Sequence, residues 1–270
     1  MKNVEKITPY TNSERKSVQI TSAFNIIAPR YDFMNRLLSL GIDISWRRKA
    51  LNSIAESHPG QILDLAAGTG DLSIMAALKF PRSKITAIDL SEKMLEIAKL
   101  KAQKAKVAQQ IDFLQADCLS LPFPDKTFDL TTIAFGIRNF ENIDAGCREM
   151  QRILKPGGTL LIIELSRPQK KLPACIYNFY LQNIIPLLGR VFTECKTEYT
   201  YLATSIKQVP QGSAMLAILS NAGFINCSVT RYTFGVCSCY TAEAEQSPLS
   251  RSPHRAFPAP AEYSQSADPA

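Results

Sequence analysis

Apolar positions in the first part of the chain recur at helical spacing. Between Ser13 and Leu40 they fall at Val18, Ile20, Phe24 and Ile27, then at Tyr31, Phe33, Met34, Leu37, Leu38 and Leu40. Pro29 interrupts the run, so the pattern predicts two helices meeting near Ala28, the second ended by Gly41. A further helix is predicted from Ile44 to Ala55, with Trp46 and Leu51 inward, and a turn at His58-Pro59-Gly60. From Gln61 the period changes. Short, nearly continuous apolar runs predict strands at 61–66, 84–89, 111–115, 128–134 and 159–165, and the stretches at 71–79, 92–106 and 142–154 predict helices. Ser91 suits the N-cap of the helix at 92–106, and Lys155-Pro156-Gly157-Gly158 reads as a helix stop. Strands that are apolar along their length, alternating with helices, belong to a parallel sheet covered on both faces.

After Arg167 the alternation stops. Residues 172–193 are aromatic-rich at helical spacing, with a kink expected at Pro186. A helix is expected at about 211–221, and the strand-like runs 224–232 and 234–241 are close enough to pair as a hairpin. The polar residues 1–12 are expected to fray. From Ala242 the text is rich in Ala, Pro and Ser without periodicity, so 242–270 is expected to be a disordered tail. The expected organisation is an N-terminal helical lid segment (1–60), an α/β core (61–241) with a helical insertion at about 168–208, and that tail.

Composition narrows the function classes. The net charge is +7 over 270 residues, but the basic residues stand in short groups such as Arg47-Arg48-Lys49, Lys99 to Lys106 and Lys170-Lys171. None is interleaved with aromatics, so solvated helix faces are expected and a nucleic-acid partner is not. The seven cysteines are scattered without a C-x-x-C pair, and there are two histidines, so no metal site is expected and a reducing, cytoplasmic compartment is. The polar N-terminus shows no apolar signal segment, and no apolar run approaches the ~20 residues of a spanning helix.

Ligands of open α/β sheets lie beyond the carboxyl ends of the strands. Those ends carry Gly68-Thr69-Gly70, Asp89, Asp117-Cys118, Ala134 to Asn139 and Glu164. Gly68 and Gly70 let a ligand approach the backbone. A carboxylate at Asp89 can accept from both hydroxyls of a ribose, and Asp117 with the Cys118 backbone suits an adenine edge. Such a crevice takes a dinucleotide or S-adenosylmethionine. The third glycine of the dinucleotide fingerprint is replaced by Ser73, and Asp71 stands where a pyrophosphate would meet the helix N-terminus. Both points favour the sulfonium cofactor, which carries no phosphate. Asp64 is read either as a contact for its amino group or as a buried acid bonded to backbone.

Several segments then carry a resemblance. They are Phe24 to Asn35, Asp64 to Asp71, Leu121-Pro122-Phe123-Pro124-Asp125, Phe135-Gly136-Ile137-Arg138-Asn139 and Leu154 to Gly158. Across 20–241 the chain resembles the ubiquinone/menaquinone biosynthesis C-methyltransferases, a branch of the class I S-adenosylmethionine-dependent methyltransferases. The resemblance implies a Rossmann-like, seven-stranded, mostly parallel sheet with an antiparallel last strand. It implies cofactor contacts at Thr69, Asp89, Asp117 and Cys118, beside Gly68 and Gly70. Ala134 departs from a serine that some members use. The implied reaction is C-methylation of a polyprenylated quinol, either a demethylmenaquinol or a ubiquinone precursor. Arg138 is the first candidate for the substrate side, holding a phenolate oxygen or orienting a water, and Tyr31 is the second. Asp32 and Asn35 are expected to bond locally, and Glu164 at most to line the site. The helices at 13–40 and 172–193 are expected to flank the crevice as a lid in peripheral contact with the inner face of a membrane. A homodimer is the default assembly. An NAD-dependent oxidoreductase and a partner-binding protein that has lost the chemistry are the rival classes.

Overall fold

Strand β1 (Gln61–Leu65) is an interior strand of a seven-stranded sheet in a computed structural model that describes residues 3–184 and 196–245. The other strands are β2 (Lys84–Asp89), β3 (Ile111–Gln115), β4 (Phe128–Ala134), β5 (Leu154–Leu165), β6 (Phe224–Tyr232) and β7 (Cys237–Ala244). Their order is β3-β2-β1-β4-β5-β7-β6. The pairs from β3 across to β5 are parallel, and β7 runs antiparallel to both β5 and β6. The order reverses between β1 and β4, which opens a crevice at their carboxyl ends. This is the expected fold class.

The helices are α1 (Lys16–Ile27), α2 (Tyr31–Ser39), α3 (Ile42–Ser53), α4 (Asp71–Lys79), α5 (Glu92–Lys104), α6 (Ile143–Ile153), α7 (Lys171–Phe179), α8 (Lys196–Gln208) and α9 (Ser213–Asn221). A 3-10 turn, Ala28–Arg30, holds Pro29 between α1 and α2, as its missing N–H requires. Both faces of the sheet are packed. Leu63, Leu65 and Ile133 meet Ile143 and Met150 of α6 and Leu219 of α9 on one side. Ile62, Ile85 and Leu130 meet Trp46 and Leu51 of α3 and Leu72 of α4 on the other. A third, smaller cluster of Met34, Leu181 and Ile206 ties α2 to the π-helical turn Tyr180–Ile184 and to α8.

Three expectations need correction. The N-terminus is docked rather than frayed: Val4 is fully buried, and the Glu5 carboxylate accepts from the Ile143 backbone N–H at 2.9 Å. Residues 154–158 open β5 rather than only closing a helix, because Leu154 pairs with Phe128 before a bulge restores the register at Leu130 and Thr159. Ala242 to Ala244 belong to β7, held by pairing of Leu160 with Ala242 and of Phe224 with Ala244. The rest of the expected tail (246–270), and Pro186 within the predicted 172–193 helix, lie outside the described residues. Helix α8 falls within the expected helical insertion at about 168–208, where threonines and a serine between its apolar positions left its ends unmarked.

Candidate active site

The loop after β1 bends through three left-handed residues, Ala66 (φ 50°), Gly68 (φ 56°) and Gly70 (φ 77°). This folds the backbone N–H of Gly68 onto Asp89 at the end of β2, and the Asp89 Oδ2 accepts it at 2.8 Å. Oδ1 accepts from the Ser91 N–H at 2.8 Å. Burial pushes the Asp89 carboxyl pKa up, and those N–H groups pull against it without cancelling it. The Leu90 N–H also acts on this carboxylate, and of its four lone-pair sites at least one stays open to a ligand. The two glycines differ in use. A Cβ at Gly68 would meet only Tyr31 at 3.9 Å, whereas one at Gly70 would lie 2.9 Å from the Ala98 Cβ of α5. Gly68 therefore leaves room for a ligand, and Gly70 lets α5 pack.

A cavity of about 690 Å³ opens on this turn, lined by Tyr31, Gly68, Asp89, Asp117, Cys118 and Asn139, among others. Its charged wall residues are carboxylates, Asp89, Asp117 and Glu141, beside apolar side chains such as Phe24, Leu90 and Phe140. That donor set fits an adenosine bearing a cationic sulfonium and opposes a diphosphate. Asp71 contributes less to this discrimination than its position suggested. Lys101 bonds one of its oxygens at 2.6 Å and Arg36 the other at 2.6 Å. Burial works against its ionisation, but those cations and Arg47 overcome it, so its pKa falls. Thr69 does not line the 690 Å³ cavity. Its Oγ donates to Asp32 at 2.5 Å, and it borders a small adjoining cavity with Asp64 and Arg47.

A second cavity, of about 990 Å³ and largely apolar, lies against the first and shares Tyr31 and Phe135 with it. Leu38 and Leu40 of α2, Tyr177 and Tyr180, and Leu202 and Ile206 of α8 help wall it. Phe135 follows β4 with φ 60°, a conformation that costs a non-glycine residue roughly 1–3 kcal/mol and recurs at functional sites. Arg138 is 5% exposed and also lines this cavity. One of its terminal nitrogens donates to Glu164 at 2.7 Å and to the Phe135 carbonyl, and its backbone N–H donates to Glu164 at 3.3 Å. Its Nε is buried with no partner among the described residues. Burial disfavours the charge, but Glu164 together with Tyr31 and Tyr201 outweighs it, so the guanidinium holds its proton more tightly than usual. The Tyr31 hydroxyl is pushed up by burial, opposed by a hydrogen bond with Asn35 and by the charges of Arg138 and Arg47.

The model of the ubiE/COQ5 methyltransferase family matches residues 11–243. The chain belongs to this family. It is a class I, S-adenosylmethionine-dependent methyltransferase. Relatives include a demethylmenaquinone methyltransferase of Bacteroides fragilis, 44% identical over 88% of this chain and 97% of that one. Another, of Thermus thermophilus, is 41% identical over 82% of this chain and 99% of its own. A ubiquinone/menaquinone biosynthesis C-methyltransferase of Geobacter sulfurreducens is 41% identical over 88% and 93%. Among solved structures, the [4+2]-cyclase SpnF superposes with a TM-score of 0.63 at 17% identity, covering 86% of this chain and 97% of that one. At that identity the likeness is one of fold.

In this methyltransferase the site holds features that local spacing did not announce. Asp32 does not bond locally: it accepts from Thr69 and from Lys101, at 2.6 Å, which joins α2 to the turn and to α5. Glu164 is the counter-charge of Arg138 rather than a lining group. Arg47 is not on a solvated face. It is buried, bonded to Asp43 at 2.5 Å and set over the Phe135 ring at 4.9 Å. These partners lie between four and 88 residues apart in sequence, and only the Arg47–Asp43 pair sits at helical spacing.

Proposed function

We propose that this methyltransferase adds a methyl group to a ring carbon of a demethylmenaquinol, a 2-polyprenyl-1,4-naphthoquinol, forming menaquinol. One observation carries the reading: a largely apolar cavity abuts the cofactor cavity, and a buried arginine lies on its wall. The names of the Bacteroides and Thermus relatives support a naphthoquinol over a benzoquinol. When bound at the Gly68, Asp89 and Asp117 wall, S-adenosyl-L-methionine supplies an electrophilic sulfonium methyl. Arg138 offers its unpartnered Nε to the quinol oxygen ortho to the reacting carbon. A cationic donor favours that oxygen as its anion, which makes the ring carbon nucleophilic. Glu164 fixes the guanidinium by accepting from one of its terminal nitrogens. Tyr31, on the wall shared by the two cavities, holds the water that takes the ring proton once the new carbon–carbon bond has formed. Apolar walls keep bulk water from the reacting pair. Positioning of this kind can supply up to roughly 7–11 kcal/mol, and proton removal about 10²–10⁴-fold more.

The long tail of the substrate leaves through the mouth of the apolar cavity. Leu40, on that mouth, is 82% exposed, and Phe234, next to the lining residue Thr233, is 84% exposed. Helix α7 exposes Leu172, Ile176 and Phe179 beside Lys170 and Lys171. Apolar side chains flanked by lysines fit an anionic lipid surface, where a polyprenylated quinol resides. None of the described helices is long and apolar enough to span a membrane.

Quinone profiling of a strain lacking this gene tests the substrate. Demethylmenaquinone should accumulate, menaquinone should disappear, and the intact gene should restore it. Accumulation of a demethylated benzoquinone precursor instead would move the assignment to ubiquinone synthesis, and an unchanged quinone pool would refute both.

A further inference from the structure

We propose that Arg47 is a second oxygen-binding residue for the quinol, holding the ring hydroxyl that Arg138 does not hold. The inference rests on the naphthoquinol reading above. A 1,4-naphthoquinol presents two oxygens on opposite edges of one ring. The methylated carbon is ortho to one of them, and the prenylated carbon is ortho to the other. A single guanidinium cannot reach both, so orienting the ring calls for a second donor across the cavity.

Among the described residues that line the 990 Å³ cavity, Arg47 and Arg138 are the two cations. Both are 5% exposed, and each carries a buried Nε without a partner among the described residues. A buried donor left unpaired is costly, and native structures rarely keep one without an acceptor from water or a ligand. The two arginines converge on Phe135. Arg138 donates to its carbonyl, and the Arg47 guanidinium lies 4.9 Å from its ring centroid.

The salt bridge of Arg47 does not use up its hydrogen-bonding capacity. Asp43 accepts from Arg47 at 2.5 Å, but it also accepts from Arg36 and from the Ser39 hydroxyl at 2.7 Å. One carboxylate is therefore shared by two guanidiniums and a hydroxyl. That arrangement anchors the guanidinium of Arg47 at one nitrogen and leaves further N–H groups for a ligand. Phe135 beneath the guanidinium sets its plane. A ring oxygen between Arg47 and the apolar wall would complete the site. With one oxygen on each arginine, the unsubstituted ring carbon is presented to the wall shared with the cofactor cavity.

The test pairs a variant with a substrate change. Arg47→Lys keeps the charge beside Asp43 but loses Nε and the planar fork. The substrates are a short-chain 2-prenyl-1,4-naphthoquinol and 3-prenyl-1-naphthol. The latter keeps the hydroxyl ortho to the methylated carbon and lacks the other one. For the diol, Arg47→Lys should lower kcat/KM by about ten- to hundredfold, carried mainly by KM, as expected for one charge-assisted hydrogen bond. For the mono-ol it should change kcat/KM by less than about twofold, because the oxygen that Arg47 would hold is already gone. Calorimetric binding of S-adenosylhomocysteine should be unchanged, which reports an intact fold, and Arg47→Gln gives the same comparison should the lysine variant not fold. Equal losses on both substrates, or no loss on either, would overturn the assignment. Wild-type protein that binds S-adenosylhomocysteine but methylates neither compound would instead refute the naphthoquinol reading itself.

Discussion

Asp64 offers the most quantitative handle on the site. It is the penultimate residue of β1, fully buried, and its carboxylate accepts from the Ser73 hydroxyl at 2.5 Å and the Thr132 hydroxyl at 2.7 Å. Burial outweighs both hydrogen bonds, and its pKa is pushed up from 3.8 to about 6. The folded state therefore holds this proton more tightly than the unfolded chain. The contribution to stability is complete below the unfolded pKa of about 4 and is lost as pH rises through about 6. Two pK units correspond to roughly 3 kcal/mol of burden from the ionised form at neutral pH. Asp64→Asn removes that burden, because an amide can bond both hydroxyls without carrying charge. For a domain of this size, roughly 3 kcal/mol corresponds to a rise in Tm of about 6–12 °C, as an upper bound. Denaturant unfolding of both proteins from pH 4 to pH 8 is the assay. The asparagine variant should be more stable at pH 7.5, and the difference should shrink towards zero by pH 4. A variant less stable at pH 7.5, or a difference that ignores pH, would refute the reasoning. Asp64 also borders the small cavity with Gly68 and Thr69. A cationic ligand there should draw its carboxylate into the ionised form, so S-adenosylmethionine should bind with release of a proton near pH 6. Calorimetry in buffers of different ionisation enthalpy detects that release.

Other expectations follow from the same contacts. Arg138→Lys keeps a charge but cannot reproduce the fixed geometry against Glu164 and Phe135, so turnover should fall about 10²-fold or more while cofactor affinity stays within about threefold; unchanged turnover would remove Arg138 from the chemistry. Glu164→Ala leaves that guanidinium buried without its counter-charge and should cost about 3–5 kcal/mol in denaturant unfolding, whereas a loss below about 1 kcal/mol would contradict the pairing. Lys101→Met breaks the link that joins Asp32, Asp71 and Thr69 and should weaken S-adenosylhomocysteine binding about tenfold by calorimetry; equal affinity would show that α2 does not support the turn. The wild-type protein should co-sediment with anionic vesicles, less so at high salt, and the double variant Phe179→Ser/Phe234→Ser should not; wild-type protein left in the supernatant would dismiss the lipid contact.

The sheet was legible because each strand is short, apolar and bounded by a turn signal. β2, β3, β4 and α4 fall on the residues that periodicity chose. Element ends were less so. Leu154 read as the end of a helix and Lys155 to Gly158 as its stop, yet pairing with β4 makes them strand, because partner strands decide where a ladder begins. The lining of the 690 Å³ cavity was readable where residues sit at strand ends, as at Asp89 and Asp117. The roles of side chains that work through distant partners were not. Asp32 looked like a local cap, Arg47 like a solvated charge and Asp71 like an uncompensated anion. Each acquires its role from a residue brought close by the fold: Thr69, Phe135 and Lys101 respectively. Helical spacing can reveal the bond from Arg47 to Asp43, four residues earlier, but not the ring beneath it.

Methyl transfer by the purified protein tests the central claim most directly. With S-adenosylmethionine and chemically reduced 2-prenyl-1,4-naphthoquinol, mass spectrometry should show one added methyl group on the ring carbon next to the prenylated one, with S-adenosylhomocysteine formed in equal amount. The Arg138→Lys variant should give about 1% of that rate or less. Cofactor binding without ring methylation of this quinol, or methylation at an oxygen, would contradict the account.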